Sequence, residues 1–159
     1  MNTTITSNGA INVPSNYNVG GALNITANGA VNNSGNMSVI GATNITSNTS
    51  DISLLGVNNF SGAVNLKASN GSISANSVGN TTYSSIASGG NVSLSGTGNI
   101  TLPNISLASG NLFLSLTSGS GSITQAANSS LNISGSAALA LGSGNAVLTS
   151  GNNLLTGQL

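Results

Sequence analysis

The chain has 159 residues, yet only one lysine, one acidic residue and no arginine, histidine or cysteine. Acid–base catalysis needs titratable groups placed together, phosphate neutralisation needs a basic surface, and a disulfide framework or thiolate metal site needs cysteine. The chain therefore reads as a non-enzyme with no metal and no other cofactor, binding no nucleic acid. Hydrophobic residues still make up 38%, and they alternate with polar ones, which points to a folded β protein and against a disordered polar linker.

The opening residues of successive units can be laid under one another at a period of about twenty: "NTTITSNG" at Asn2, "ALNITANG" at Ala22, "ATNITSN" at Ala42, "AVNLKASNG" at Ala63, "NVSLSGTG" at Asn91 and "NLFLSLTSG" at Asn111. A repeat of this length is one supersecondary unit that buries its apolar face by stacking on its neighbours. Within a unit, three short alternating segments are separated by small turn residues. The expected fold is all-β: a parallel β-helix of seven to eight coils, with three short strands per coil.

Taken in chain order, the first strand of each coil is expected to point Thr3 and Ile5, Leu23 and Ile25, Thr43 and Ile45, Val64 and Leu66, Val92 and Leu94, Leu112 and Leu114, and Leu131 and Ile133 inward. A second inward column is Ile11, Val31, Ile52, Ile73, Ile100, Ile123 and Leu139. A third includes Val19, Met37, Val39, Val57, Val78, Ile105, Leu107 and Leu148. Side chains alternate across a strand, so the intervening Asn, Ser and Thr face outward. Asn8-Gly9, Asn28-Gly29 and Asn70-Gly71 mark corners, where glycine is expected to supply positive φ and asparagine to bond across layers. Between Val78 and Gly89 the spacing lengthens. Residues 79–89 are therefore expected to form a loop insertion carrying Tyr83 as an exposed contact residue. Residues 1–159 otherwise read as a single solenoid segment, and the shortened unit "NNLLTGQL" reads as part of a longer repeat protein.

The stretch "SGSGSITQAANSSLNISGSAALALGSGNAVLTSGNNLLTG", from Ser118 to Gly157, resembles the repeats of the filamentous haemagglutinin group, adhesins exported by two-partner secretion. The phrases "GSITQ", "LNISGSAALAL" and "NAVLTSGNNLLTG" carry the resemblance. The first half matches that group in composition and period. The resemblance implies the shaft of a long surface fibre, with the right-handed coil of that group, exported through an outer-membrane transporter.

The surface offers three further readings. Asn24, Asn44, Asn91, Asn99 and Asn132 each begin an Asn-x-Ser/Thr triplet, an acceptor for N-glycosylation, although an alternating Asn/Ser/Thr face generates such triplets by itself. Thr6, Thr26 and Thr46 form a hydroxyl column of the kind an ice-binding solenoid presents, continued by Lys67, Ser95, Ser115 and Ser134. Asp51 and Lys67 fall in consecutive units and read as solvated surface charges. No stretch approaches the roughly eighteen apolar residues of a membrane span, and the first ten residues lack the pattern of a secretory signal. The functional expectation is a non-catalytic shaft of a secreted or cell-surface fibre. Its expected partners are other copies of itself, stacked head to tail or bundled laterally, and host-surface or matrix glycans. A glycan-binding or ice-binding solenoid is the alternative.

Overall fold

The computed structural model describes residues 1–118 and 120–158, and no helix occurs among them. The first coil is β1 (Thr3–Ser7), β2 (Ile11–Val13) and β3 (Tyr17–Val19), and the second is β4 (Leu23–Ala27), β5 (Val31–Asn33) and β6 (Met37–Val39). In the third coil, β7 (Thr43–Ser47) is followed by β8 (Ile52–Phe60), which runs over two faces without a break; β9 (Val64–Ala68) and β10 (Ile73–Ser77) belong to the fourth. β11 (Thr81–Ser88) closes the fourth coil and opens the fifth, which continues through β12 (Val92–Gly96) and β13 (Ile100–Leu102). β14 (Ile105–Leu107), β15 (Leu112–Leu116) and β16 (Ser122–Gln125) form the sixth coil, and β17 (Leu131–Ile133), β18 (Ala137–Ala140) and β19 (Asn145–Val147) the seventh, with β20 (Leu154–Leu155) opening the eighth. The chain is a parallel β-solenoid of about eight turns, with about 20 residues and three strands per turn.

Strands pair with their equivalents one coil away, in register and parallel. Thr3 pairs with Leu23, Leu23 with Thr43 and Thr43 with Val64, while Ile5, Ile25, Ile45 and Leu66 follow two residues on. The corners are bonded in the same direction, as in Gly29 N–H to Gly9 O (3.1 Å) and Gly41 N–H to Gly21 O (2.9 Å). Alternation then sends every second side chain into one continuous core. Leu23, Ile25, Ile45, Ile52, Leu54, Leu66, Ile73, Leu94 and Ile100 are fully buried there, each worth about 1.5–3 kcal/mol against exposure.

Three expectations need correction. Residues 79–89 are not a loop, because residues 81–88 form β11, which pairs with β9 and β13. Counting that strand as an insertion moves β12 to β16 by one face, whereas Leu131 and Ile133 of β17 lie on the first face as expected. Val92 and Leu94 stack on Ile73 and Ala75 of the second face, and Leu112 and Leu114 stack on them in turn. Ile100 and Ile123 lie on the third face, in line with Thr81. The faces share one apolar-polar-apolar alternation, so only the strand count distinguishes them.

Val57 and Leu139, expected inside, are exposed. β8 stays extended through its corner, and its parity turns Leu55 and Val57 outward and Gly56 and Asn58 inward. Leu139 stacks on Leu114 in the last strand of its sheet, with no further strand of that sheet to cover it among the described residues.

The corner glycines serve close approach between layers more than positive φ. Among the described residues only Gly79 and Gly142 are glycines with positive φ, alongside Asn16 and Asn128. A Cβ on Gly110 would instead overlap the carbonyl oxygen of Gly90, one on Gly135 that of Gly110, and one on Gly157 that of Gly135. Gly110→Ala is therefore expected to cost about 1–3 kcal/mol, the range for overpacking against atoms that cannot step aside. Gly151→Ala, with nothing within 4 Å of its Cβ position, should leave stability unchanged. Urea denaturation of the two variants beside the parent chain measures the difference.

Candidate functional site

The outward positions of the regular coils build ladders of side-chain amides. On the first face, Asn44 Nδ2 donates to Asn24 Oδ1 (2.9 Å) and Asn65 Nδ2 donates to Asn44 Oδ1 (2.8 Å). Asn32 bonds to Asn12 on the second face (3.1 Å), and Asn48 to Asn28 at a corner (2.8 Å). A second kind of ladder joins side chain to backbone. Asn91 Oδ1 accepts from the backbone N–H of Asn111, and Asn111 Oδ1 from that of Ser136, both at 2.8 Å. Asn80, Asn99 and Ser122 repeat the arrangement at another corner. Each such carbonyl satisfies a backbone donor that the turn leaves without a strand partner.

This pattern accounts for Asp51. Its carboxylate accepts the Ser72 N–H at 2.7 Å, the bond that asparagine makes at the other corners. Lys67 stands exposed in the outward column after Thr46, and no ion pair joins it to Asp51 among the described residues. The hydroxyl column is shorter than expected. Thr6, Thr26 and Thr46 align and Lys67 follows, but the next residue is Ala87. Ser95 and Ser115 lie on the second face, in line with Asn76.

The five acceptor asparagines occupy different environments. Asn24 and Asn44 are half-buried members of the first-face ladder, and the Asn44 Nδ2 is engaged. Asn91 and Asn99 are exposed at corners, with their carbonyls holding the next layer. Asn132 is exposed in the middle of β17, between Ser106 and Leu154. The structure spreads these residues over the rod without gathering them into one site.

Tyr83 is not a surface contact. It points into the core from β11 and is completely buried. Burial pushes its phenol above the usual tyrosine range, and the Ser77 hydroxyl, near it but outside hydrogen-bond geometry, offsets this only in part. The Tyr83 hydroxyl makes no hydrogen bond, and neither do Asn58 Oδ1, Thr81 Oγ1 or either side-chain polar atom of Asn33. The Asn58 amide is well used on its other side, donating to the carbonyls of Leu54, Gly56 and Asn76 at 3.0–3.1 Å. Sequence reasoning missed this buried polar group. The inward parity of Asn58 within the run Ile52–Phe60 was the available signal.

Two shallow grooves lie among the described residues. One, of about 240 Å³, is bordered by Lys67, Ala68, Ser69, Ala87, Ser88 and Gly89. The other, of about 280 Å³, lies between residues 82–84, Pro103, Asn104 and residues 126–129. Amides, hydroxyls and small apolar groups line both, so what they offer is neutral hydrogen bonding, with Lys67 the only charge on their borders. No group of three or more His, Cys, Asp or Glu suited to a metal occurs among the described residues, and no helix there is long and apolar enough to cross a membrane.

The profile of a repeat family, described as repeats of unknown function (DUF5649), matches residues 1–67 and 89–159. No curated protein and no solved structure matches the chain.

Asn44 makes two ladder bonds, so Asn44→Ala is expected to cost about 1–3 kcal/mol. Asn132→Ala should stay within about 0.5 kcal/mol. A second expectation concerns pH. Tyr83 keeps its proton in the fold while the unfolded chain ionises above its phenol pKa of about 10, so stability present below that pH is lost as pH rises beyond it. Tyr83→Phe should remove that part of the loss. Denaturation midpoints of parent and variant at about pH 8 and about pH 11 measure it.

Proposed function

We propose a structural role that proceeds from family membership: the chain belongs to the repeats described as of unknown function (DUF5649), and its stacked coils act as the non-catalytic shaft of a secreted or cell-surface fibre. The observation carrying this reading is the ladder surface. Its outward positions are filled with amides and hydroxyls that bond one coil to the next, as in Asn24, Asn44 and Asn65. The side chains that would elsewhere build a binding pocket here extend the stack.

The finer reading is a filamentous haemagglutinin-like adhesin shaft, supported by the wording of the stretch from Ser118 to Gly157. Eight coils at a strand spacing of about 4.8 Å span on the order of 35 Å, and more coils would lengthen the rod without changing its cross-section. A further coil adds through the same parallel ladder whether it belongs to this chain or to another copy, so head-to-tail growth needs no new chemistry. Low charge also lets rods approach sideways. Glycans of a host surface or matrix are the fitting external partners, because neutral amides and hydroxyls match their hydrogen bonding. Ice binding is weaker support for the surface, as the aligned threonines number three before Lys67 and Ala87 interrupt them.

Antibodies raised against this chain should label intact, unpermeabilised cells of the source organism, and micrographs of the native protein should contain thin rods of constant width. Labelling only after permeabilisation, or globular particles without rods, would overturn the proposal.

A further inference from the structure

Among the described residues, only one face of the solenoid is laddered without interruption along its length. The second-face sheet runs through β2, β5, β8, β10, β12, β15 and β18. The first face does not, because β14, β17 and β20 form a separate sheet. β11 and β14 touch but are not laddered together. The third face thins earlier. Asn58, Asn59 and Phe60 pair with β6 on one side, whereas on the other only Asn58 finds a partner, Ser77. Regular pairing resumes with Thr81 on Ile100.

Further irregularities fall in the same middle stretch of the rod. Register shifts occur between Ala75 and Ser77 and between Tyr83 and Ser85. The unpartnered buried atoms of Thr81 and Tyr83 lie here, and those of Asn33, Thr43 and Asn58 lie in the second and third coils. Corner bonds span 20 residues at Asn2 and Asn28, 19 at Asn80 and 20 at Asn91, and lengthen to 23, 26 and 25 at Asn99, Asn104 and Asn111, in the coils beyond. The family match omits residues 68–88. The groove of about 280 Å³ opens where the first face loses its ladder, between residues 82–84 and Asn104.

We propose that the stretch from the fourth coil to the sixth is a joint, dividing the rod into two cooperative segments that open independently and flex about the continuous second face. In a stacked repeat protein, stability is the sum of coil terms and nearest-neighbour interface terms. A missing ladder lowers the interface term here, whereas the first-face ladders of the coils before β11 and after β14 are complete. Under thermal or mechanical stress the first face parts at β11 and β14, and the second-face sheet holds the segments in line. A shaft built this way yields locally and recovers without unfolding throughout.

Native-state hydrogen exchange of the intact chain, resolved by residue, tests the joint. The alternation that sends the Gly89 N–H to Ala68 O turns the amides of Ile86 and Ser88 toward β14 and that of Ser106 back toward β11. These amides should exchange at least roughly tenfold faster than those of Ile25, Ile45 and Leu94, although all lie within the rod. Gly135→Ala should further lower protection in the sixth and seventh coils and leave the first three unchanged. Uniform protection through the middle of the parent chain would overturn the joint. So would a loss in the variant that spreads equally to the first three coils.

Discussion

The structure depends on one constraint: every coil must lie a single strand spacing above the last, at the corners as well as along the strands. Parallel strands bonded in register fix that spacing at about 4.8 Å, and the bonds continue through the turns, as from Gly90 N–H to Gly71 O. A corner residue therefore sits on its counterpart with no room for adjustment. This explains the column formed by Gly110, Gly135 and Gly157, where any side chain would run into the carbonyl of the glycine beneath it. It also explains why asparagine is so common at the other corner positions. Its short amide reaches one layer and meets either another amide or an unpaired N–H.

The same constraint accounts for the near absence of charge. In-register stacking would place a charged outward residue on its own copy one layer away. Two like charges at about 4.8 Å repel by about 1 kcal/mol even in bulk water, and the cost recurs at every layer. An amide in that position bonds to its neighbours instead, as Asn44 does on both sides. The two charged residues present are isolated instances, Asp51 holding a backbone N–H and Lys67 standing among threonines and alanine. The composition that argues against catalysis and the geometry that builds the rod thus have one physical origin.

The period, the alternation and the polar exterior were legible in the sequence because each is a local pattern. Ile25, Ile45 and Leu66 announce their column through spacing alone. Face identity was not legible, because Val92 and Leu94 alternate in the same way as Leu23 and Ile25, and nothing local says that they belong beneath Leu112 and above Ile73. The misreading of residues 79–89 followed from the same degeneracy. "TTYSSIAS" lacks the hydrophobic density of its neighbours, yet Thr81, Tyr83 and Ile86 are buried within it. A polar strand that completes a core looks like a loop until its pairing partners are known. The asparagine corners were visible as candidate ladders, whereas the stacking role of the glycines required knowing which carbonyl lay below each one.

The register itself is the central claim, and the absence of native cysteine makes it directly testable by paired cysteines. Residues aligned in adjacent coils lie within the Cα separation of about 4.4–6.8 Å that a disulfide needs. Lys67→Cys combined with Ala87→Cys should form an intramolecular disulfide on mild oxidation, because those residues pair across β9 and β11. Lys67→Cys combined with Ser95→Cys should not, because Ser95 belongs to the second face beside Asn76. Efficient cross-linking of Lys67 to Ser95, with none of Lys67 to Ala87, would contradict the account.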